Sequence, residues 1–225
     1  MPHNNICDDW SKLLAATLET WAHQVLYARH VYPRSSFGAS SSFLGVRCQA
    51  CRHPPVVAYI RDTVQVAVPA LRDGVANELE LAIVDVFEGK EVERELYRLR
   101  FTNVAKSIVT STATSSGRDL DLDTEERALR SLVQQVQALR FEESTPPDTT
   151  SFRLTLHVPT PDDSSRSLLT QGLSNGTWDV LPLERRGRQV TPLHRVASPA
   201  CTVHFTSERR AAPRGRLKDD RDYEE

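Results

Sequence analysis

Val25-Leu26-Tyr27-Ala28-Arg29-His30-Val31-Tyr32-Pro33 closes a long amphipathic pattern and sets a proline behind it. Upstream, Trp10, Leu13, Leu14, Leu18, Trp21, Val25 and Ala28 recur at helical spacing, with Lys12, Glu19 and Gln24 between them. This spacing predicts a helix from about Asp9 to Val31, stopped by Pro33, which has no N–H to offer a further turn. His23 and His30 fall on that helix two turns apart and read as surface or half-buried helix residues, because metal-binding helices set their ligands four apart.

Downstream, residues 34–45 are rich in serine and glycine, have little to bury and read as a flexible loop. Pro54-Pro55 opens a second helix, with Val57, Ile60, Val64 and Leu71 on its buried face and Pro69 disturbing its last turn. Leu79–Phe87, Glu88-Gly89-Lys90 and the alternating run through Tyr97, Leu99 and Phe101 predict a β-hairpin whose second strand has one wet face. Residues 108–121 read as a loop. Thr124 reads as the N-cap of a third helix carrying Leu129, Leu132, Val133, Val136 and Leu139. Phe152, Leu154, Leu156 and Val158 alternate as a strand. Beyond Pro159, prolines and glycines separate short apolar patches at 178–183, 190–193 and 201–205, which predicts extended segments leaning on the rest of the domain. Residues 211–225 are charged, nearly devoid of apolar side chains, and read as a disordered tail.

The composition limits the function classes. The 225 residues carry a net charge of −2, with 39% hydrophobic and 26% charged residues. That is enough apolar material for a core, and no global field to draw nucleic acid or anionic lipid. The first nine residues lack the pattern of a targeting segment, and no apolar run approaches the ~20 residues that span a bilayer. Four cysteines in a chain of this length do not make a disulfide framework, so a reducing intracellular compartment is expected.

Catalytic signatures are missing. The chain has no phosphate-cradling glycine loop and no nucleophile elbow. Cys48-x-x-Cys51 with His53 nearby is its one metal-like cluster, and a second Cys/His pair at structural spacing is absent, although Cys201 and His204 offer two more such groups. Ordinary thiols are the favoured reading, a small metal-dependent enzyme the competing one, and no cofactor is expected.

Several segments, in order, resemble one family. Leu18–Pro33 with its Tyr-x-Arg-x-Val-Tyr-Pro run is similar to the first core helix of a HORMA domain. Cys51-Arg52-His53-Pro54 with Ala58-Tyr59-Ile60-Arg61-Asp62-Thr63 is similar to its second helix. Ala82–Asp85 with Val92–Arg94 is similar to its hairpin, and Ser151–Val158 to the strand before its clasp. Thr177–Val180, Val190–Leu193 and Phe205–Arg209 are similar to the clasp itself. The resemblance implies an α+β HORMA domain over residues 9–210, with three core helices packed on a mainly antiparallel sheet. It also implies a C-terminal safety belt at about 159–210, with residues 1–8 as an N-terminal extension. Within the family the chain looks most like the mitotic-arrest-deficient-like branch, the non-catalytic accessory subunit of translesion DNA polymerase zeta, which is nuclear.

The resemblance implies further that the belt clasps a proline-containing peptide of the polymerase-zeta catalytic subunit. Tyr59, Trp178 and Val180 would contact that peptide. Val190, Pro192, Leu193, Val203 and Phe205 would face the C-terminal domain of a scaffold translesion polymerase. There Val203 replaces a polar residue and Phe205 a tyrosine, which removes hydrogen-bonding groups. A HORMA–HORMA dimer is also implied, although the arginine used for it falls near Ala138 or Arg140 without a match. Arg52 is an insertion between the cysteine and the histidine, and serines replace a basic loop at 35–42. A spindle-checkpoint or meiotic-axis member of the family would use the same clasp on a different peptide.

Overall fold

The structure is a computed structural model that describes residues 4–39, 42–102, 122–139, 149–159, 188–198 and 200–210. The first helix, α1 (Asn4–Ala28), begins earlier than its apolar spacing predicts and ends before Val31. Its stop is a backbone motif rather than Pro33. The Val31 N–H donates to the Leu26 carbonyl (3.1 Å) and the His30 N–H to the Tyr27 carbonyl (3.2 Å). His30 stands between them at φ 53°, in the left-handed region. This is a Schellman cap with histidine where glycine is usual, and the buried Leu26 and Val31 supply its apolar contact. His30 is therefore a cap residue and lies outside the helix.

Three residues of the opening signature have partners farther along the chain. Tyr27 meets Phe37 edge-on at 5.3 Å. Arg29 pairs with Glu95, both side chains being under one-tenth exposed. Tyr32 meets Phe152 edge-on at 6.3 Å.

The serine-rich stretch is structured where it is described. A 3-10 turn at Arg34–Ser36 leads into β1 (Phe37–Ala39), which pairs antiparallel with β2 (Gln49–Cys51). His23 secures this small sheet to α1: it is buried, and its Nδ1 accepts the Cys51 N–H at 3.4 Å. Helix α2 (Pro54–Arg72) follows, with proline in its first turn and Pro69 inside it. Its buried face runs through Val56, Ile60, Val64 and Leu71, so Val56 takes the place expected of Val57.

Burial pushes the His23 imidazole down to about 4. A histidine whose folded pKa is depressed loses stability as pH falls from its ordinary value through the folded one. Chemical denaturation should therefore show about 3 kcal/mol lost between pH 6.5 and 4. His23→Asn, which keeps an acceptor for the Cys51 N–H, should remove most of that slope; an unchanged slope would contradict the assignment.

The main sheet has five strands in the order β5-β3-β4-β7-β6, all antiparallel. Strands β3 (Glu78–Phe87) and β4 (Lys90–Thr102) are joined by Glu88-Gly89, both at positive φ, the geometry that a two-residue hairpin of native twist requires. Strand β5 is Thr150–His157, β6 is Arg188–Ala197 and β7 is Thr202–Arg210. Helix α3 (Leu122–Ala138) begins before Thr124, which is thus inside the helix and not its cap. The hydrophobic core lies between the three helices and one sheet face, centred on Trp21, Leu26, Ile60, Leu81, Tyr97, Leu99 and Phe205.

The opposite sheet face departs from the expected wet surface. Glu78 and Glu80 of β3, Arg98 of β4 and Glu208 of β7 are all buried there. Arg98 Nε lies 2.5 Å from Glu80 and 3.4 Å from Glu78, and its Nη1 pairs with Glu208. Arg100 meets Glu78 at 2.8 Å, and His157 Nε2 lies 3.3 Å from Glu80. Burial alone would raise the Glu80 carboxyl; the close approach of His157, the Arg98 hydrogen bond and the Arg98 charge outweigh it and hold it at about 2.

Candidate functional site

Among the described residues the sheet has two edge strands, β5 and β6, and the outer edge of β5 lies beside aromatic groups. Strands β6 and β7, the described part of the expected belt, dock on β4, at the far side of the sheet from β5. Among the described residues no strand pairs with the outer edge of β5. The Asn77 N–H donates to the His157 carbonyl and the Val86 N–H to the Thr149 carbonyl. In an antiparallel ladder that alternation turns the backbone groups of Phe152, Leu154 and Leu156 outwards. An edge of this kind is a template for a further strand.

Tyr59 stands over that edge. It sits on the β5 side of α2 and is 40% exposed. Its hydroxyl accepts the Leu154 N–H at 3.1 Å, and its ring meets Phe152 edge-on at 5.5 Å. Phe152 is thus flanked by Tyr59 and Tyr32. The Schellman cap explains the second contact, because it turns the chain back so that Tyr32 reaches β5. Phe152 and Tyr32 are site residues that sequence reasoning missed. The alternation through Val158 marked the strand, but nothing local marks it as an edge.

The other expected residues fall in different places. Trp178 and Val180 lie outside the described residues. Val190 (55% exposed) and Pro192 are exposed on β6, and Leu193 is half-buried against the core at a β-bulge. Val203 and Phe205 are buried, at 1% and 0% exposure, and face the helices. They cannot join Val190 and Pro192 in one surface while β7 is docked. The reason is parity: Phe205 pairs with Leu99 and Val203 with Phe101 on the core face. Their alternation with Thr202, His204 and Thr206 was the signal for it.

The contacts that hold β6 and β7 were not legible either. Glu125, buried in the first turn of α3, accepts the Ala200 N–H at 2.8 Å and so pins the turn between the two strands. Ser131 of α3 lies 2.8 Å from His194 Nε2 of β6.

The metal-like cysteine cluster does not assemble. Cys48 is buried with Val46 and Val133, Cys51 belongs to the main core, and His53 is exposed. Cys201 is a buried thiol that burial and the nearby Glu125 push up to about 12. Among the described residues, the donor atoms of Glu78, Glu80 and His157 lie within 4.8 Å of one another. The guanidinium groups of Arg98 and Arg100 already sit on those carboxylates, which makes the group an ion-pair network.

No protein-family model matches the chain, and no curated protein does. Solved structures do. A chain of a mitotic checkpoint complex is 16% identical, with a TM-score of 0.63 over 90% of this chain and 99% of its own. HTP-2 bound to HTP-3 motif-6 is 14% identical, with a TM-score of 0.64 over 92% of each chain. Caenorhabditis elegans HTP-1 bound to the HIM-3 closure motif is 13% identical, with a TM-score of 0.58 over 90% of this chain and 91% of its own. At these identities the likeness is one of fold, and the fold is that of the HORMA domain.

Proposed function

We propose that this chain is a non-catalytic adaptor that holds an extended peptide of a partner protein along the open edge of β5. The observation that carries the reading is the outward-facing backbone of Phe152, Leu154 and Leu156, with Tyr59 and Tyr32 beside it. An added strand would satisfy the outward groups of Phe152 and Leu156, the Leu154 N–H being held by the Tyr59 hydroxyl, and the aromatic rings would supply side-chain contacts. The belt at about 159–210, with Trp178 and Val180, closes over the peptide, so affinity is expressed as slow release.

In the finer reading the partner is the catalytic subunit of DNA polymerase zeta, and the chain is its accessory subunit in translesion synthesis, in the nucleus. The order of the family-like segments and the belt tryptophan favour this reading. A scaffold translesion polymerase would then meet the exposed β6 residues Val190 and Pro192, and a HORMA–HORMA dimer belongs to the same proposal. A second reading has its own support: the similar solved chains come from a mitotic checkpoint complex or carry closure motifs, so the chain would be a checkpoint or meiotic adaptor using the same edge.

The test is a dissociation-rate measurement with proline-containing peptides of a polymerase-zeta catalytic subunit, run beside checkpoint and meiotic closure peptides. Tyr59→Ala should speed release about ten- to a hundredfold, as loss of a central aromatic anchor does. Tyr59→Phe, which keeps the ring, should change it by less than about threefold. Slow release of the polymerase peptide alone supports the first reading, and of a closure peptide alone the second. Binding of none by the folded chain would sink both.

A further inference from the structure

Residues 20–61 contain five arginines and no aspartate or glutamate, in a chain whose net charge is −2. Arg29 is buried against Glu95. Arg34 and Arg52 are exposed, and among the described residues neither has an ion-pair partner. Both belong to the segments that border the aromatic end of β5. Arg34 follows Tyr32 by two residues, and its Nη2 donates to His30 Nε2 at 3.1 Å. The Arg52 N–H donates to the Ser36 carbonyl at 2.8 Å, which ties the two segments together. Its guanidinium lies across Gly38, where a Cβ would collide with it. His53, also exposed, caps the start of α2, six residues before Tyr59.

Three carboxylates of the β3–β4 hairpin beside the start of β5 are already engaged. Asp85 meets Arg94 and Thr150, while Glu91 and Glu93 meet Arg153. Those three carboxylates therefore offer the arginines no counter-charge, and Arg34 joins the edge through Tyr32, which meets Phe152. Exposed cations without an ion-pair partner favour an anionic ligand.

We infer that the peptide held on β5 carries a run of aspartate or glutamate beyond the segment that pairs with Phe152, and that this run lies against Arg34, Arg52 and His53. The inference rests on the reading of β5 as a peptide-binding edge and adds the chemistry of the partner's flank. A nucleic acid is a poorer fit, because the chain is net negative and the basic groups border a strand edge and do not line a groove.

The test pans a phage-displayed library of random peptides on the full chain and on an Arg34→Glu/Arg52→Glu variant, with circular dichroism confirming that both fold. Selected peptides are then titrated by fluorescence anisotropy, with Tyr59→Ala and a labelled single-stranded DNA as further arms. The wild type should select apolar extended segments with acidic residues on one flank. At about 150 mM salt those peptides should bind the charge-reversed variant about tenfold more weakly. Peptides with neutral flanks that still depend on Tyr59 would overturn this inference and leave the edge reading standing. Recovery of no peptide, or of peptides indifferent to Tyr59→Ala, would overturn both. Tight DNA binding that the charge reversal abolishes would assign the surface to nucleic acid and overturn the inference.

Discussion

Phe205→Ala should lower stability by about 3–5 kcal/mol in urea denaturation, a large part of what a domain of this size has. Phe205 is fully buried and its ring meets Trp21 edge-on at 6.4 Å and Tyr97 at 6.4 Å. It enters the core from β7, so the cavity opens where the C-terminal hairpin docks on helix α1 and strand β4. The fluorescence of Trp21 should shift to the red with the loss of its neighbour. Val190→Ala, on the same hairpin but 55% exposed, should cost less than about 0.5 kcal/mol. A Phe205 variant of wild-type stability would mean that β7 does not rest on the core in solution.

Arg98→Met should cost about 3–5 kcal/mol at pH 7, because the cation is removed from between buried carboxylates that stay behind. Glu78, Glu80 and Glu208 would then be charged, buried and short of a partner on Arg98. The pH dependence gives the sign. In the wild type, Glu80 has its carboxyl held down at about 2, so its contribution is present above pH 4.5 and lost as pH falls from there towards 2. Without Arg98, Glu80 loses the hydrogen bond and charge that offset its burial, so the variant should recover relative to wild type between pH 7 and 5. Denaturation curves at both values measure the gap; a gap that widens on acidification would contradict the network. Arg100→Met, whose side chain is 52% exposed, should cost no more than about 1 kcal/mol.

How far the sequence could be read depends on whether each signal is local. Pro54-Pro55 placed the start of α2, the Glu88-Gly89 turn placed the β3–β4 hairpin, and alternation placed β5. The resemblance placed the fold class. Three features escaped for a common reason: each depends on a partner distant in the chain. The end of α1 was credited to Pro33 because a left-handed histidine leaves no compositional mark. The outer face of β4 read as wet, since Arg98 looks solvated until Glu80 and Glu208 arrive from other strands. Val203 and Phe205 are a different case. Their period-two pattern already put them on an apolar face, and the family correspondence drew them to the surface against it. At the candidate site Tyr59 was visible, but its neighbour Phe152 lies 93 residues away, and that β5 is an edge strand among the described residues follows only from the strand order.

The most direct test of the peptide-edge account is residue-resolved amide hydrogen exchange along β5, with and without a bound partner peptide. Addition of a strand should slow exchange of the outward-facing amides of Phe152 and Leu156 at least about tenfold, and leave the amides already paired to β3 unchanged. A peptide that binds tightly without slowing those two amides would contradict the account.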